Sequence, residues 1–275
     1  MAKSVKSDVT VTDTKSGAGL PVELMAEFEA HAGEGVSTSM DDQLIPYIGV
    51  VQPGSPQIKR GHEKYMPEVK IGDILIPSIG RWWSGEQGIT FVQAHMNQDV
   101  VEWTPRDQGG GIVNRFDEMP KDARRVVDTE NPQRQKMGSP RGNEYVHTRY
   151  HYGIIANGDE ALGGNPLGPI QGVIPLSSSG HSFSKKWTTL QNNIKLPSGK
   201  IAPARARIWR LTTANRSKGG FDWMVLQAED MGWLLDKTVY TASGQMYEAI
   251  ISGKVRAEQG EGPATDPETD EDVPF

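Results

Sequence analysis

The chain has no cysteine among its 275 residues. Disulfides, thiolate nucleophiles and cysteine-ligated zinc are thereby excluded. Long apolar runs are missing too. No stretch approaches the roughly 18 uninterrupted apolar residues that a membrane-spanning helix needs, and the opening MAKSVKSDVT has no apolar core for a secretion signal. The expected location is the cytoplasm of the cell that makes it. Catalytic signatures are also absent: no Gly-x-Ser-x-Gly elbow, no His-Glu-x-x-His and no dinucleotide-binding fingerprint. The glycine run 109–111 lacks the Gly-Lys-Ser/Thr ending of a P-loop. Acidic pairs such as Glu229 with Asp230 and Glu118 with Asp122 are not grouped as metal ligands. These absences predict a protein with no catalysis, no cofactor and no metal.

The most informative absence is of one sign of charge. Residues 161–221 contain no Asp or Glu, yet they carry Lys185, Lys186, Lys195, Lys200, Arg205, Arg207, Arg210, Arg216 and Lys218. A polyanion calls for phosphate-neutralising groups with no repelling carboxylates between them. The net charge of -6 hides this, because the acids collect at the ends. Residues 257–275 hold seven acids and no base, and residues 1–43 hold eight acids against three bases. That leaves 20 acids and 26 bases in residues 44–256, a body of about +6.

What is abundant is glycine (31) and proline (18), which favours a turn-rich β body over a helical bundle. Residues 1–20 are Ser/Thr/Lys/Gly-rich and read as disordered. Leu24 and Phe28 within residues 21–31 suggest a short amphipathic helix. From Leu44 onward, short apolar runs alternate with Gly, Pro and Asn clusters, at 44–52, 72–78, 88–94, 99–103, 145–155 and 170–176. This is the spacing of an all-β barrel or sandwich. Residues 120–141 read as a long surface excursion. Phe183, Trp187, Leu190 and Ile194 form one apolar stripe of a helix, with Lys185 and Lys186 pointing outward. Residues 204–212 and 221–228 predict a hairpin with a long tip, and a last helix is expected over 243–254. Beyond Arg256 the acidic tail, residues 257–275, cannot bury a core and should be disordered.

Aromatics are interleaved with the cations. Strand alternation in ARARIWRLTT puts Arg205, Arg207 and Trp209 on one face. Two guanidiniums and an indole make a poor core but a good stacking platform for unpaired bases. The plainer alternative buries Trp209 and leaves the arginines framing a solvated edge. Trp82 and Trp83 point to opposite faces of a strand, so at most one is expected in the core, with Trp83 the candidate for base stacking. Trp103 and Arg106 precede the glycine run and complete the candidate set. His147 and His151 are four apart, but on a strand that spacing is about 13 Å, too far for one metal ion.

The last six residues, Asp270, Glu271, Asp272, Val273, Pro274 and Phe275, resemble the tail tip of bacterial single-stranded DNA-binding proteins. That resemblance implies a partner-binding motif, in which the terminal Phe275 enters an apolar pocket and its carboxylate meets a basic group while the upstream acids steer the encounter. The order PYIGVVQPGSPQ, GDILIPS, EWTPRDQGGG resembles phage proteins found near replication and recombination genes. It implies a phage origin and an elaborated OB-type barrel over residues 44–256, between a flexible arm (1–43) and the tail (257–275). The body is about twice the length of the bacterial protein, so a bacterial-type tetramer does not follow, although an oligomer would fit. Together these point to non-specific single-stranded DNA binding in phage DNA replication, recombination or repair, with replication proteins recruited through the tip. A strand-annealing mediator and a metal-dependent nuclease are the rival readings.

Overall fold

The computed structural model describes Glu27, Ala30, His31 and residues 44–253, apart from residues 106–107, 109–110, 128–134, 165–166, 178–179 and 219. The acidic tail, its tip and Arg106 lie outside the described residues. The chain divides into two units, residues 1–39 and residues 40–275. In the first, Glu27 and Ala30 are helical, and most of the expected N-terminal helix falls outside the described residues.

The second unit is mainly β, with two helices, and its sheets stay open rather than closing into a barrel. Its spine is β4 (Ile89–Trp103) paired with β8 (Glu144–Ile155) in an antiparallel ladder. Each spine strand shares its outer edge between two neighbours. Along β4, residues Ile89 to Phe91 pair with β10 (Arg207–Lys218), and Val100 to Trp103 pair with β5 (Ile112–Phe116). Along β8, residues Glu144 and Tyr145 pair with β7 (Gln135–Gly138), and Thr148 to Ile155 pair with β9 (Ile170–Ser177). At the margins β6 (Arg124–Val127) pairs with β7, and β11 (Phe221–Trp233) with β10. The marginal strands β6 and β11 do not pair with each other, which leaves the eight-stranded sheet open.

A smaller sheet, β1 (Gly49–Val50), β2 (Ile74–Ile76) and β3 (Arg81–Trp83), packs on one face of the larger one. Its Ile74, Ile76 and Trp83 join Ile89, Phe91, Trp209 and Leu211 in one core. Helix α1 (Gly180–Asn193) closes the same core with Trp187, 1% exposed. Helix α2 (Lys237–Ile251) covers the opposite face, placing Val239, Met246 and Ala249 on Val92, Ala94, Ile154 and Val173. Asp236 caps α2, its carboxylate accepting from the Thr238 and Val239 amides at 2.7 and 3.1 Å. Among the described residues no helix is long and apolar enough to cross a membrane.

Several expectations change at this level. Trp82 and Trp83 are both buried, because the small sheet is covered on both sides: Trp83 faces the main core, and Trp82 a satellite of Val51, Val69 and Leu75. The runs 88–94 and 99–103 are one strand with a polar middle. The expected hairpin has longer arms and a tight tip, since TANRSK belongs to β10. The surface excursion contains a hairpin of its own, β6 with β7, whose β6 residues are all exposed.

The small sheet is latched to the β10–β11 hairpin by polar contacts. The Gln52 side chain acts as a strand residue: its Nε2 donates to the Met224 carbonyl at 3.0 Å and its Oε1 accepts from the Met224 amide at 2.9 Å. The Thr213 hydroxyl donates to the Gly72 carbonyl at 2.7 Å, and the Thr213 amide to the Gly85 carbonyl at 2.9 Å. Gly85 is required here, since a Cβ would overlap the Gly72 carbonyl and the Thr213 hydroxyl.

Under α1 lies a buried polar relay. His151, fully buried, stacks on Trp187 with centroids 4.8 Å apart and 17° between the rings. The Ser184 hydroxyl donates to His151 Nε2 at 2.8 Å, and His151 Nδ1 donates to Gln93 Oε1 at 2.8 Å, since an amide oxygen only accepts. Gln93 Nε2 in turn donates to Gln191 Oε1 at 3.3 Å. Burial, aided by the Arg149 charge, pushes the imidazole down to about 3 from its ordinary 6.5. The unfolded chain therefore takes up this proton near pH 6.5 and the folded one only near pH 3. Stability from this group is whole above pH 6.5 and falls below it, by at most about 1.4 kcal/mol per pH unit. His151→Gln should flatten the acid limb of a plot of unfolding free energy against pH between 6.5 and 4. Parallel plots for the two proteins would show that the buried imidazole is not what titrates.

Candidate nucleic-acid interface

The acid-free stretch does not fold into one surface. Lys185 and Lys186 lie exposed on α1, and Lys195 and Lys200 are exposed in the turn that follows it. Arg210 and Arg216 are exposed on β10, with Arg210 Nε donating to the Gln87 carbonyl at 3.0 Å. The side chain of Lys218 lies outside the described residues. Arg205 stands on the other side of the large sheet, against α2, with its guanidinium 5.3 and 5.6 Å from the Tyr240 and Tyr247 ring centroids.

Two predicted members of the platform are spent on folding. Trp209 is fully buried between Trp187 and the apolar residues of β4, 5.9 Å from the Trp187 ring. Trp83, 2% exposed, donates its indole N–H to the Asn157 carbonyl at 3.1 Å. Neither offers a ring face to a base. Residues Ala204 to Ala206 form a turn of 3-10 helix, so the strand begins only at Arg207 and the expected common face of Arg205, Arg207 and Trp209 does not form. Arg207 pairs with Asp230 at 2.6 Å and lies 4.5 Å over the Trp233 ring. The acid that neutralises it comes from the neighbouring strand, where the register also sets Glu229 opposite Arg210. A desert of acids along the chain is not one across a sheet. Trp103 is half-buried and packs with the core beneath α2.

The structure brings together a different set, of which the sequence reading had named only Arg205. On the α2 side of the sheet a line of rings runs between two guanidiniums. Arg115 lies 5.1 Å over Tyr150 and donates to the Tyr47 hydroxyl at 2.6 Å. Tyr150 and Tyr152 are 6.4 Å apart, Tyr152 and His95 6.5 Å, and His95 and Tyr247 5.6 Å, and Arg205 closes the line. Burial raises the Tyr150 phenol well above its ordinary range and the Tyr152 phenol to about 12, so both are neutral donors. Burial lowers the His95 imidazole. Half-buried Asp99 is pushed up by burial and partly drawn back by Arg115. The signal was present in the period-two spacing of Tyr150 and Tyr152 and of His95, Asn97 and Asp99, but their partners Tyr47, Arg115 and Tyr247 come from distant segments.

Ser184, His151 and Gln93 have the order of a nucleophile, a base and an orienting group. Ser184 and His151 are fully enclosed, however, so no substrate reaches the hydroxyl and the relay serves packing. Among the described residues no three His, Asp or Glu side chains group to hold a metal ion. His147 instead contacts Gln98 Nε2 through Nδ1 at 3.2 Å.

Trp209→Ala should cost about 3–5 kcal/mol of stability in chemical denaturation, the range for deleting a large buried ring. A variant of near wild-type stability would show that the ring is not a core residue.

No curated protein and no solved structure matches the chain. The family comparison does match, over residues 15–256, most of the length and the whole of the described β body. The open sheet, its two covering helices and its hairpins thus fall within one family region, and the chain belongs to the Pam3 phage gp34-like protein family.

Proposed function

We propose that this phage protein binds single-stranded DNA without sequence preference during phage DNA replication or recombination, and recruits partner proteins through Asp270 to Phe275. The observation that carries the reading is the set of exposed cations from a stretch with no acid: Lys185, Lys186, Lys195, Lys200, Arg210 and Arg216. Among the described residues these exposed lysines form no ion pair, which suits them to neutralising phosphates and releasing their counterions. Tyr150 and Tyr152 are buried, but the half-buried His95 and Tyr247 and the exposed Tyr240 support a strand whose bases are unpaired, since ring faces are useful only to bases free of a duplex.

Anisotropy titration of labelled oligo-dT at two salt concentrations tests this. Binding should weaken steeply with salt, log K falling by about 0.7 per neutralised phosphate for each unit of log salt. Tight binding indifferent to salt would defeat the electrostatic account.

The tail adds an independent test. Seven negative charges beside a body of about +6 compete with DNA for the same cations. Removing residues 257–275 should tighten DNA binding, most clearly at low salt, where screening is weakest. Removing Phe275 alone should leave DNA affinity unchanged and abolish partner capture in a pull-down. Weaker DNA binding after truncation would overturn competition, and undiminished capture without Phe275 would overturn recruitment.

A further inference from the structure

Arg205 occupies an unusual place. Its side chain crosses α2 beside Gly244, where even a Cβ would stand at an ordinary contact distance of 3.9 Å from Arg205 Nε. Tyr240, Gly244 and Tyr247 are spaced i, i+4, i+7, so they line one face of α2. The guanidinium rests between the two tyrosine rings, at 5.3 and 5.6 Å. Among the described residues it makes no ion pair and no hydrogen bond, and its Nε is buried without a partner. Glu248 on the same helix is exposed and not paired with it. Arg207, two residues on, has a carboxylate at 2.6 Å. Arg205 is thus a cation held by rings, with no counter-charge among the described residues and with its Nη groups, rather than the buried Nε, open to a ligand.

An aromatic cage stabilises a guanidinium without neutralising it, whereas a carboxylate would do both. The fork geometry of arginine suits the two oxygens of a phosphate. Tyr240 is 37% exposed and offers ring surface beside that fork. The half-buried Tyr247 and His95 continue the ring surface toward the sheet.

We infer that Arg205, Tyr240 and Tyr247 form a nucleotide subsite on the α2 face, with a backbone phosphate on the Arg205 guanidinium and its base against Tyr240. The inference rests on the single-stranded DNA reading and deepens it by locating one nucleotide. It places that nucleotide on the side of the sheet opposite the α1 lysines.

The test uses the full-length chain and oligo-dT. Arg205→Gln removes one phosphate contact and should lower the salt slope by about 0.7. Tyr240→Ala should weaken binding about fivefold to hundredfold, the range for one base stack, and leave the salt slope unchanged. A merely structural role would move neither slope nor affinity in this split manner. Thermal melts of both variants confirm folding. Oligo-dT carrying 5-iodouracil, cross-linked by light and mapped by mass spectrometry, should mark Tyr240 or Tyr247. Lys185→Gln with Lys186→Gln serves as the opposite-face control. If wild-type protein binds oligo-dT, but both α2-face variants bind identically to it and the cross-links fall on α1, the subsite is overturned while the general reading stands. If wild-type protein does not bind oligo-dT, the general reading falls and the subsite with it.

Discussion

Pairing of β4 with β8 is the interaction on which the other layers depend, because both strands are covered on both faces for much of their length. At the first half of β4, Ile89 and Phe91 face the core under α1 and the small sheet, while Val92 and Ala94 face the core under α2. A strand buried on both sides favours apolar residues at consecutive positions, as at Phe91 and Val92, and its one buried polar residue there, Gln93, is bonded to His151 and Gln191. Beyond Ala94 the apolar run gives way to His95, Met96, Asn97, Gln98 and Asp99, and the strand becomes apolar again at Val100 and Val101. This polar waist supplies contacts on both faces. Gln98 reaches Arg149 at 3.0 Å on one side, and His95 meets Tyr152 and Tyr247 on the other.

The same waist explains what could be read in advance. Reading apolar runs located β2, β8 and β9, and it found α1 through Phe183, Trp187 and Ile194, but the expected stripe was wrong at Leu190, which is exposed while Ser184 and Gln191 are buried instead. It broke β4 into two strands, since a polar interval in a sequence looks the same whether the chain turns or continues straight. It missed β6 because Arg124 to Val127 are all exposed and carry no burial pattern. Helix α2 begins six residues earlier than expected: its first turn is set by the Asp236 cap, and Thr238 and Tyr240 carry no apolar stripe. Strand spacing left a barrel and a sandwich both open, and the expectation of an OB-type barrel came from the resemblance, which says nothing about which edges pair in this chain.

The candidate site was less legible than the fold. Charge along the chain identified a basic stretch but not its counter-charges, because Asp230 and Glu229 lie a hairpin away in sequence and adjacent in space. An aromatic next to cations reads alike whether it packs inward or stands open. Trp209 packs inward, and Tyr240 stands open. Trp209 sits on the face of β10 turned to the core, set by a bulge between Ile208 and Trp209 and by where β10 starts, whereas Tyr240 stands on the first turn of α2, away from the Val239 and Met246 side that packs on the sheet.

The Gln52 amide bonded to the backbone of Met224 joins positions 172 residues apart. During synthesis the first partner leaves the ribosome long before the second exists. The small sheet, with its latch residues Gln52, Gly72 and Gly85, must wait with polar groups facing water until the last quarter of the chain emerges. Loop closure over that length is entropically costly, so these bonds form late and only once the β10–β11 hairpin has its own register. The N-terminal part of the body is therefore completed from the C-terminal side. A polypeptide released before Met224 would present an unfinished sheet edge able to recruit a strand from another nascent copy.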